Sequence, residues 1–138
     1  MLRNPFLDEE FVPDLMWFIG QFDVYDLEET KGAELAVYNP DDECDREKLI
    51  VEYALDLECL SYRHKFVLMR FLGEKLDDPN FDFQSLFEIH EDCAGSWPRG
   101  EWYNLKNPKE FLQSIYVIAK EIWEKDLREA ALEDPNTW

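Results

Sequence analysis

Apolar residues recur three and four positions apart along most of this chain, and that period most constrains its fold. Glycine is scarce, with 5 in 138 residues, and Leu, Glu, Ala, Lys and Phe are plentiful. Helices favour such residues, and this spacing places apolar side chains on one face of a helix. The sequence therefore predicts an all-α protein, with five or six helices in one irregular bundle-like or orthogonal domain over 1–138.

Capping residues and prolines delimit the predicted helices. The strongest start is Asn107-Pro108, where a capping Asn precedes a proline at the first helical position and Glu110 stands third. A first start at Asn4-Pro5 follows the same rule, and a break near 60–62 separates the third helix from the fourth. In chain order, helices are predicted from Asn4-Pro5 to 22 with a restart at 13, then over 26–38, from 41–45 to 60, from 61 to 73, over 83–92 and from 107 to 132, before a loose tail over 134–138.

The helical faces also predict which side chains form the core. They include an aromatic-rich stripe in the first helix and a wide face in the third, where Val51 and Leu55 extend the buried side. The residues expected inside are Phe11, Leu15, Phe18, Ile19, Phe22, Leu27, Leu35, Tyr38, Leu49, Ile50, Tyr53, Ala54, Leu57, Leu60, Phe66, Val67, Met69, Phe71, Leu72, Leu86, Phe87, Ile89, Phe111, Ile115, Ile118, Ala119, Ile122 and Leu127.

The chain is strongly acidic, with 32 Asp and Glu against 14 Lys and Arg and a formal charge of −18. A surface that binds phosphate backbone needs clustered Lys and Arg, so direct nucleic-acid binding is not expected. A disordered acidic tail would be poor in aromatic residues, whereas 15% of this chain is Phe, Trp or Tyr. The composition thus predicts a folded domain with a negative surface.

The negative charge is concentrated toward the amino terminus. Residues 1–60 hold 17 acidic and 4 basic side chains, a net of −13, and the remainder holds 15 and 10, a net of −5. Five acids fall within 41–47, whereas capping of a helix start accounts for one or two. Each close pair of like charges costs a few tenths of a kcal/mol, which favours a binding role over solubility alone. The candidate partner-binding acids are Glu28, Glu29, Asp41, Asp42, Glu43, Asp45, Glu52 and Asp56.

A loop rich in aromatic residues, 97–103, is the second candidate contact. Trp and Tyr are favoured at protein interfaces, and long loops in compact domains are often functional. Trp97 and Trp102 are therefore predicted to contact a partner. The alternative is that both rings fold back as a lid on the helical core.

Motifs for catalysis and metal binding are missing from the sequence. The three cysteines, Cys44, Cys59 and Cys93, are expected as free thiols, and no Glu-x-x-His pair precedes His64 or His90. The sequence therefore predicts a non-enzymatic protein with no metal and no cofactor. A small metal-dependent or Cys-dependent enzyme, built on Cys59 with His64 or on His90 with Cys93, is a remaining alternative.

Nothing in the chain approaches the ~18 to 20 consecutive apolar residues of a membrane-spanning helix. The first five residues lack the basic-then-apolar layout of a signal peptide. These features predict a cytoplasmic protein without a membrane partner.

In size, acidity and helicity, together with the acidic run 41–47, the chain resembles bacterial immunity proteins. The resemblance is to those that neutralise colicin-type or contact-dependent growth inhibition toxins. It implies a tight 1:1 complex between a monomer and one basic protein, a cognate toxin domain that is often a nuclease. Binding would cover the toxin's active site or a neighbouring exosite.

A nucleic-acid mimic of the anti-restriction or anti-CRISPR type is the main alternative. A compact chain of this length is about 37 Å across, and B-DNA carries roughly 20 charges over that length, close to the −18 here. A mimic would spread its acids in a track along the surface. The concentration of charge in the first 60 residues favours a local binding face instead.

Overall fold

Helices and tight turns make up this protein, whose computed structural model describes residues 2–25, 27–88, 97–98 and 100–138. The described residues contain no β-strand, and one isolated antiparallel bridge joins Arg3 to Glu10. The all-α class predicted from the spacing of apolar residues is therefore confirmed. Within the same ranges, no helix combines the length and apolar character needed to cross a membrane.

The α-helices differ widely in length. In chain order they are α1 (Met16–Ile19), α2 (Ala33–Leu35), α3 (Glu43–Leu49), α4 (Tyr62–Leu76), α5 (Pro108–Ile122) and α6 (Glu124–Ala131). Wider π turns at Glu28–Gly32 and Ile50–Ala54 precede α2 and extend α3, and 3₁₀ turns cover Gly20–Phe22, Gln84–Phe87, Gly100–Asn104 and Pro135–Thr137. The predicted helix over 83–92 is thus a 3₁₀ turn at its start, and its later part, 89–92, lies outside the described residues.

The prediction that the first helix opens at Asn4 was wrong, because α1 begins at Met16. The Asn4 side-chain oxygen instead accepts the backbone N–H groups of Phe6 and Leu7, at 2.8 and 3.1 Å. This bonding makes a local turn, which Asn favours as strongly as a helix cap. The predicted apolar stripe of the segment is nevertheless buried from Phe11 onward.

The predicted helix over 26–38 is instead the π turn Glu28–Gly32 followed by the short α2. The predicted starts near 41–45, 61 and 107 are confirmed by their capping bonds. Asp42 caps α3, and the Asn107 side chain accepts the backbone N–H of Glu110 at 3.1 Å to cap α5. Ser61 caps α4 in a capping box. Its hydroxyl oxygen accepts the His64 backbone N–H, and the His64 ring accepts the Ser61 backbone N–H. Since a cap contributes about 1 kcal/mol, these residues fix where the three helices begin and the break before α4.

One hydrophobic cluster joins the helices. Helix α4 packs against α5 and α6, and α5 also contacts α3 and its π-turn extension. Three predicted core residues are instead exposed, Leu27 at 48%, Val51 at 44% and Ile122 at 51%. Leu27 lies outside any helix, one residue before Glu28. The π turn changes the helical period at Val51, and α5 ends at Ile122, so that the next residue, Trp123, is the buried one.

The carboxyl-terminal tail makes contacts that the prediction of a loose segment did not include. Asp134 caps the turn Pro135–Thr137. The Trp138 ring meets Phe66 edge-on, with centroids 5.8 Å apart, and its indole N–H donates to Glu133 at 3.2 Å. Glu133 also accepts hydrogen bonds from Tyr62 and Arg63 at the start of α4. The tail is therefore tied to α4 through one carboxylate.

This carboxylate makes the stability of the fold sensitive to acid. Hydrogen bonds from Tyr62, and then from Arg63, hold the pKa of Glu133 below its ordinary value of 4.5. A lowered folded-state pKa contributes stability above the unfolded value, and that contribution is lost as pH falls through the folded pKa. We expect Glu133→Gln to lower the thermal midpoint at neutral pH, and the difference in midpoint from the wild type to narrow as pH falls below 4.5.

Thermal melts of both proteins across that pH range measure the gap. Glu129→Gln is the matched control, because Glu129 is an exposed carboxylate one turn earlier and should change little at any pH. A gap that stays constant from neutral to acid pH would show that Glu133 does not carry this dependence.

Candidate interaction surface

Three acids of the run 41–47 accept hydrogen bonds from backbone N–H groups. Asp42 Oδ1 accepts two backbone N–H groups in the first turn of α3, at 2.9 and 3.2 Å. Asp45 Oδ2 accepts the Asn39 N–H at 3.0 Å, and Asp41 Oδ1 accepts the Lys106 N–H at 3.1 Å. Local structure thus uses more of this run than the one or two acids that helix capping predicted.

A buried guanidinium lies under the same run. Arg46 is 8% exposed, and its Nε donates to the Pro40 carbonyl oxygen at 3.1 Å. Its two terminal nitrogens meet the Asp41 carbonyl oxygen at 3.4 Å and Glu110 Oε1 at 3.5 Å. Sequence reasoning missed this residue. Its position one helical turn after the Asp42 cap, among acids, was the available signal.

Another acid absent from the sequence-based candidates serves packing. The Tyr53 hydroxyl donates to Glu34 Oε1 at 2.7 Å, which joins the extension of α3 to α2. This bond to a carboxylate, together with burial, raises the pKa of Tyr53 above its ordinary value, because both stabilise the neutral phenol. Glu34 is therefore engaged within the fold.

The remaining candidate acids are turned toward solvent. Glu29, Glu43, Glu52 and Asp56 are all exposed, as is the neighbouring Glu47. Glu29 lies on the π turn before α2, whereas Glu52 and Asp56 lie toward the far end of the α3 extension. The side chain of Glu28 falls outside the described part of the structure. Of the candidates, Glu43 stands beside a surface depression, and Glu47 joins it there.

That depression separates α3 from α5 and has a volume of about 370 Å³. Glu43 and Glu47 line it from α3, with Arg46 beneath them. The wall supplied by α5 consists of Glu110, Gln113, Ser114, Val117 and Ile118. Carboxylates thus border a groove whose opposite wall is partly apolar.

Two further depressions lie along α5. One, of about 400 Å³, is shared with the end of α4 and is bordered by Asp77, Tyr116 and Val117. The other, of about 440 Å³, runs from Tyr116 toward Glu121 and Glu124. Val117 borders all three depressions and is 58% exposed. We call this surface, from Glu110 to Glu124 with the adjoining ends of α3 and α4, the α5 face.

The two tryptophans predicted to contact a partner lie in the core instead. Trp102 is fully buried and Trp97 is 6% exposed. Their rings stack at 5.8 Å, and the Trp97 indole N–H donates to the Phe87 carbonyl oxygen at 2.8 Å. The large apolar area of each ring favours this burial. The lid interpretation is therefore correct, and Tyr103, 45% exposed, is the aromatic residue of this turn that faces solvent.

The described histidine belongs to the fold. His64 Nδ1 lies 2.7 Å from the Ser61 hydroxyl, and its Nε2 lies 2.7 Å from the Arg3 carbonyl oxygen. Both ring nitrogens are therefore engaged in the α4 cap and in holding the amino-terminal segment. His90 and Cys93 lie outside the described residues. Within the described ranges, no three His, Cys, Asp or Glu side chains are grouped to hold a metal ion.

Comparison of the chain with protein-family models, with curated proteins and with solved structures finds no match.

Proposed function

We propose that this protein is a non-enzymatic, cytoplasmic binding protein that neutralises a basic partner in a 1:1 complex. The partner class is a cognate bacterial toxin domain, with a nuclease as the expected activity. The observation that carries the proposal is the pair Glu43 and Glu47, which are exposed and make no ion pair with any described residue. They face the partly apolar wall of α5 across the groove, on a chain whose formal charge is −18.

Charge and apolar area contribute to binding in different ways. Exposed acids speed the approach of a positive partner, up to about 10⁸–10⁹ M⁻¹s⁻¹ at low salt. An adjacent apolar surface then favours the complex, because binding removes that surface from water. A toxin that binds nucleic acid presents a positive surface, and an acidic protein can occupy or border that surface.

A rescue experiment tests this function. The gene directly upstream is expressed in a bacterial host, and the growth arrest caused by the carboxyl-terminal domain of its product is measured with and without this chain. We expect full growth when the chain is present, and a 1:1 complex whose affinity falls at least tenfold between about 50 and 500 mM salt.

The control is the same toxin domain expressed beside a chain of equal size that carries no net charge. Unchanged growth arrest in the presence of this protein, or an upstream product with no toxic domain, would contradict the proposal. Calorimetry on the purified pair gives the stoichiometry and the salt dependence.

A further inference from the structure

The outer side of α5 carries a row of exposed side chains with an apolar residue, Val117, at its centre, and no described element covers it. Phe111, Leu112, Ile115 and Ala119 point into the core from the inner side of α5. On the outer side, Gln113, Val117 and Glu121 follow each other at spacings of four, which aligns them in one row along the helix. Depressions lie on both sides of this row, toward α3 and toward the end of α4.

The border of this face is negative. Its lining includes six acids and two basic residues, a local net charge of −4. The acids are Glu43, Glu47, Asp77, Glu110, Glu121 and Glu124. Both cations are engaged: Arg46 pairs with Glu110, and the Lys120 ammonium lies 5.7 Å from the centre of the Tyr116 ring. The α5 face thus offers negative charge at its border and apolar contact around Val117, at the centre of the row.

We infer that the α5 face is the docking site for a cationic amphipathic helix of the partner protein. This inference rests on the proposed function and names the contact surface. A helix with ridges of side chains packs into the grooves that flank a ridge on another helix. From Glu110 to Glu121 the face is about 16 Å long, which matches roughly three turns of a partner helix.

Charge decides among the possible occupants. A second copy of this chain would bring one negative face against another, and like charges across an interface disfavour the complex. Nucleic acid is repelled in the same way. A helix with Leu or Ile in one stripe and Lys or Arg on its flanks satisfies both the apolar centre around Val117 and the acids at the border.

The test uses a synthetic helical peptide of about 16 residues, with Leu at positions i, i+4 and i+7 and Lys on both flanks. A scrambled peptide of equal charge is compared with it. Titration into the ¹⁵N-labelled full chain should shift the amide signals of Gln113, Val117 and the residues around Asp77. Fluorescence anisotropy of the labelled peptide gives the Kd.

Two charge-matched double variants separate this face from overall attraction. Glu43→Lys with Glu47→Lys changes the border of the groove, and we expect a Kd about tenfold weaker. Glu58→Lys with Glu129→Lys makes the same net change at exposed acids outside the lining, and we expect less than about a twofold effect. Val117→Asp should weaken binding about tenfold while thermal melts show an unchanged fold.

Equal losses of peptide affinity in the two double variants would overturn the inference. Equal binding of the scrambled peptide, or amide shifts confined to other surfaces, would also overturn it. The rescue assay separates this result from the proposed function. Rescue by the Glu43→Lys, Glu47→Lys variant at wild-type level would refute the docking site and leave the function standing. Peptide binding at the α5 face without rescue would refute the proposed function and leave the docking site standing.

Discussion

Replacing Trp102 with Ala should lower the free energy of unfolding by about 3–5 kcal/mol, since it leaves a cavity at the centre of the core. The indole is fully buried. Its ring lies 4.7 Å from Phe22, 5.5 Å from Phe111 and 5.8 Å from Trp97, measured between centroids. These contacts join the first helical segment to α5, so their loss affects both parts of the fold.

The matched variant Trp102→Phe separates packing from hydrogen bonding. The Trp102 indole N–H is buried and has no hydrogen-bond partner in the described part of the chain. A buried unsatisfied donor costs about 1–3 kcal/mol, and Phe removes this donor while keeping an aromatic ring. Removal of this donor should therefore largely offset the contacts that the smaller ring loses. We expect the free energy of unfolding to change by no more than about 1.5 kcal/mol.

Chemical denaturation of the three proteins measures both effects. The slope of the unfolding free energy against denaturant should be the same for each, because all three bury a similar surface. A loss for Trp102→Phe as large as that for Trp102→Ala would show that the indole N–H is stabilised in the native state.

Replacing Arg46 with Ala should cost about 2–4 kcal/mol, because the buried guanidinium supports two carbonyl oxygens and one carboxylate. Arg46 Nε bonds to Pro40, and a terminal nitrogen reaches Glu110 at the start of α5. Arg46→Lys should recover only part of this stability, since an ammonium cannot reproduce the planar fork of donors.

Arg128→Ala is the matched control. Arg128 pairs with Glu124 one turn away on the exposed side of α6, at 2.5 Å. Exposed pairs at this spacing contribute about 0.3–0.5 kcal/mol. In thermal or urea unfolding, the loss of stability should thus be several times larger for Arg46→Ala than for Arg128→Ala. Similar losses for Arg46→Ala and Arg128→Ala would contradict the role assigned to the buried guanidinium.

The helical class and the starts of α3, α4 and α5 could be predicted from the sequence because they depend on local chemistry. A capping side chain and the backbone it caps lie within three residues, as at Ser61 and Asn107. The failure at Asn4 has the same origin, since an Asn side chain stabilises a turn as readily as a helix start. Local chemistry permits both structures there, and tertiary packing selects the turn.

Register along a helix was harder to predict, as Val51 and Ile122 show. Each was assigned to the core by extending a regular period of 3.6 residues. A π turn at Ile50–Ala54 and the end of α5 at Ile122 interrupt that period. Such interruptions carry no sharp sequence signal, so the side chains beyond them face a direction that regular spacing does not predict.

The candidate site was only partly predictable, because it combines residues distant in sequence. Counting charges along the chain located Glu43 in the amino-terminal half. It did not reveal that Asp41 bonds to the backbone of Lys106, or that Glu110 and Val117 stand opposite α3. Burial of Trp97 and Trp102 likewise depends on how the 3₁₀ turn folds onto the core.

The division within the run 41–47 has a consequence for how such a protein can change over evolutionary time. Asp41, Asp42 and Asp45 are constrained by the backbone groups that they hold. Glu43 and Glu47 hold no backbone group in the described structure, so substitutions there leave the helix start intact. Under the proposed function, a lineage can therefore exchange one binding preference for another at these two positions while Asp41, Asp42 and Asp45 preserve the start of α3.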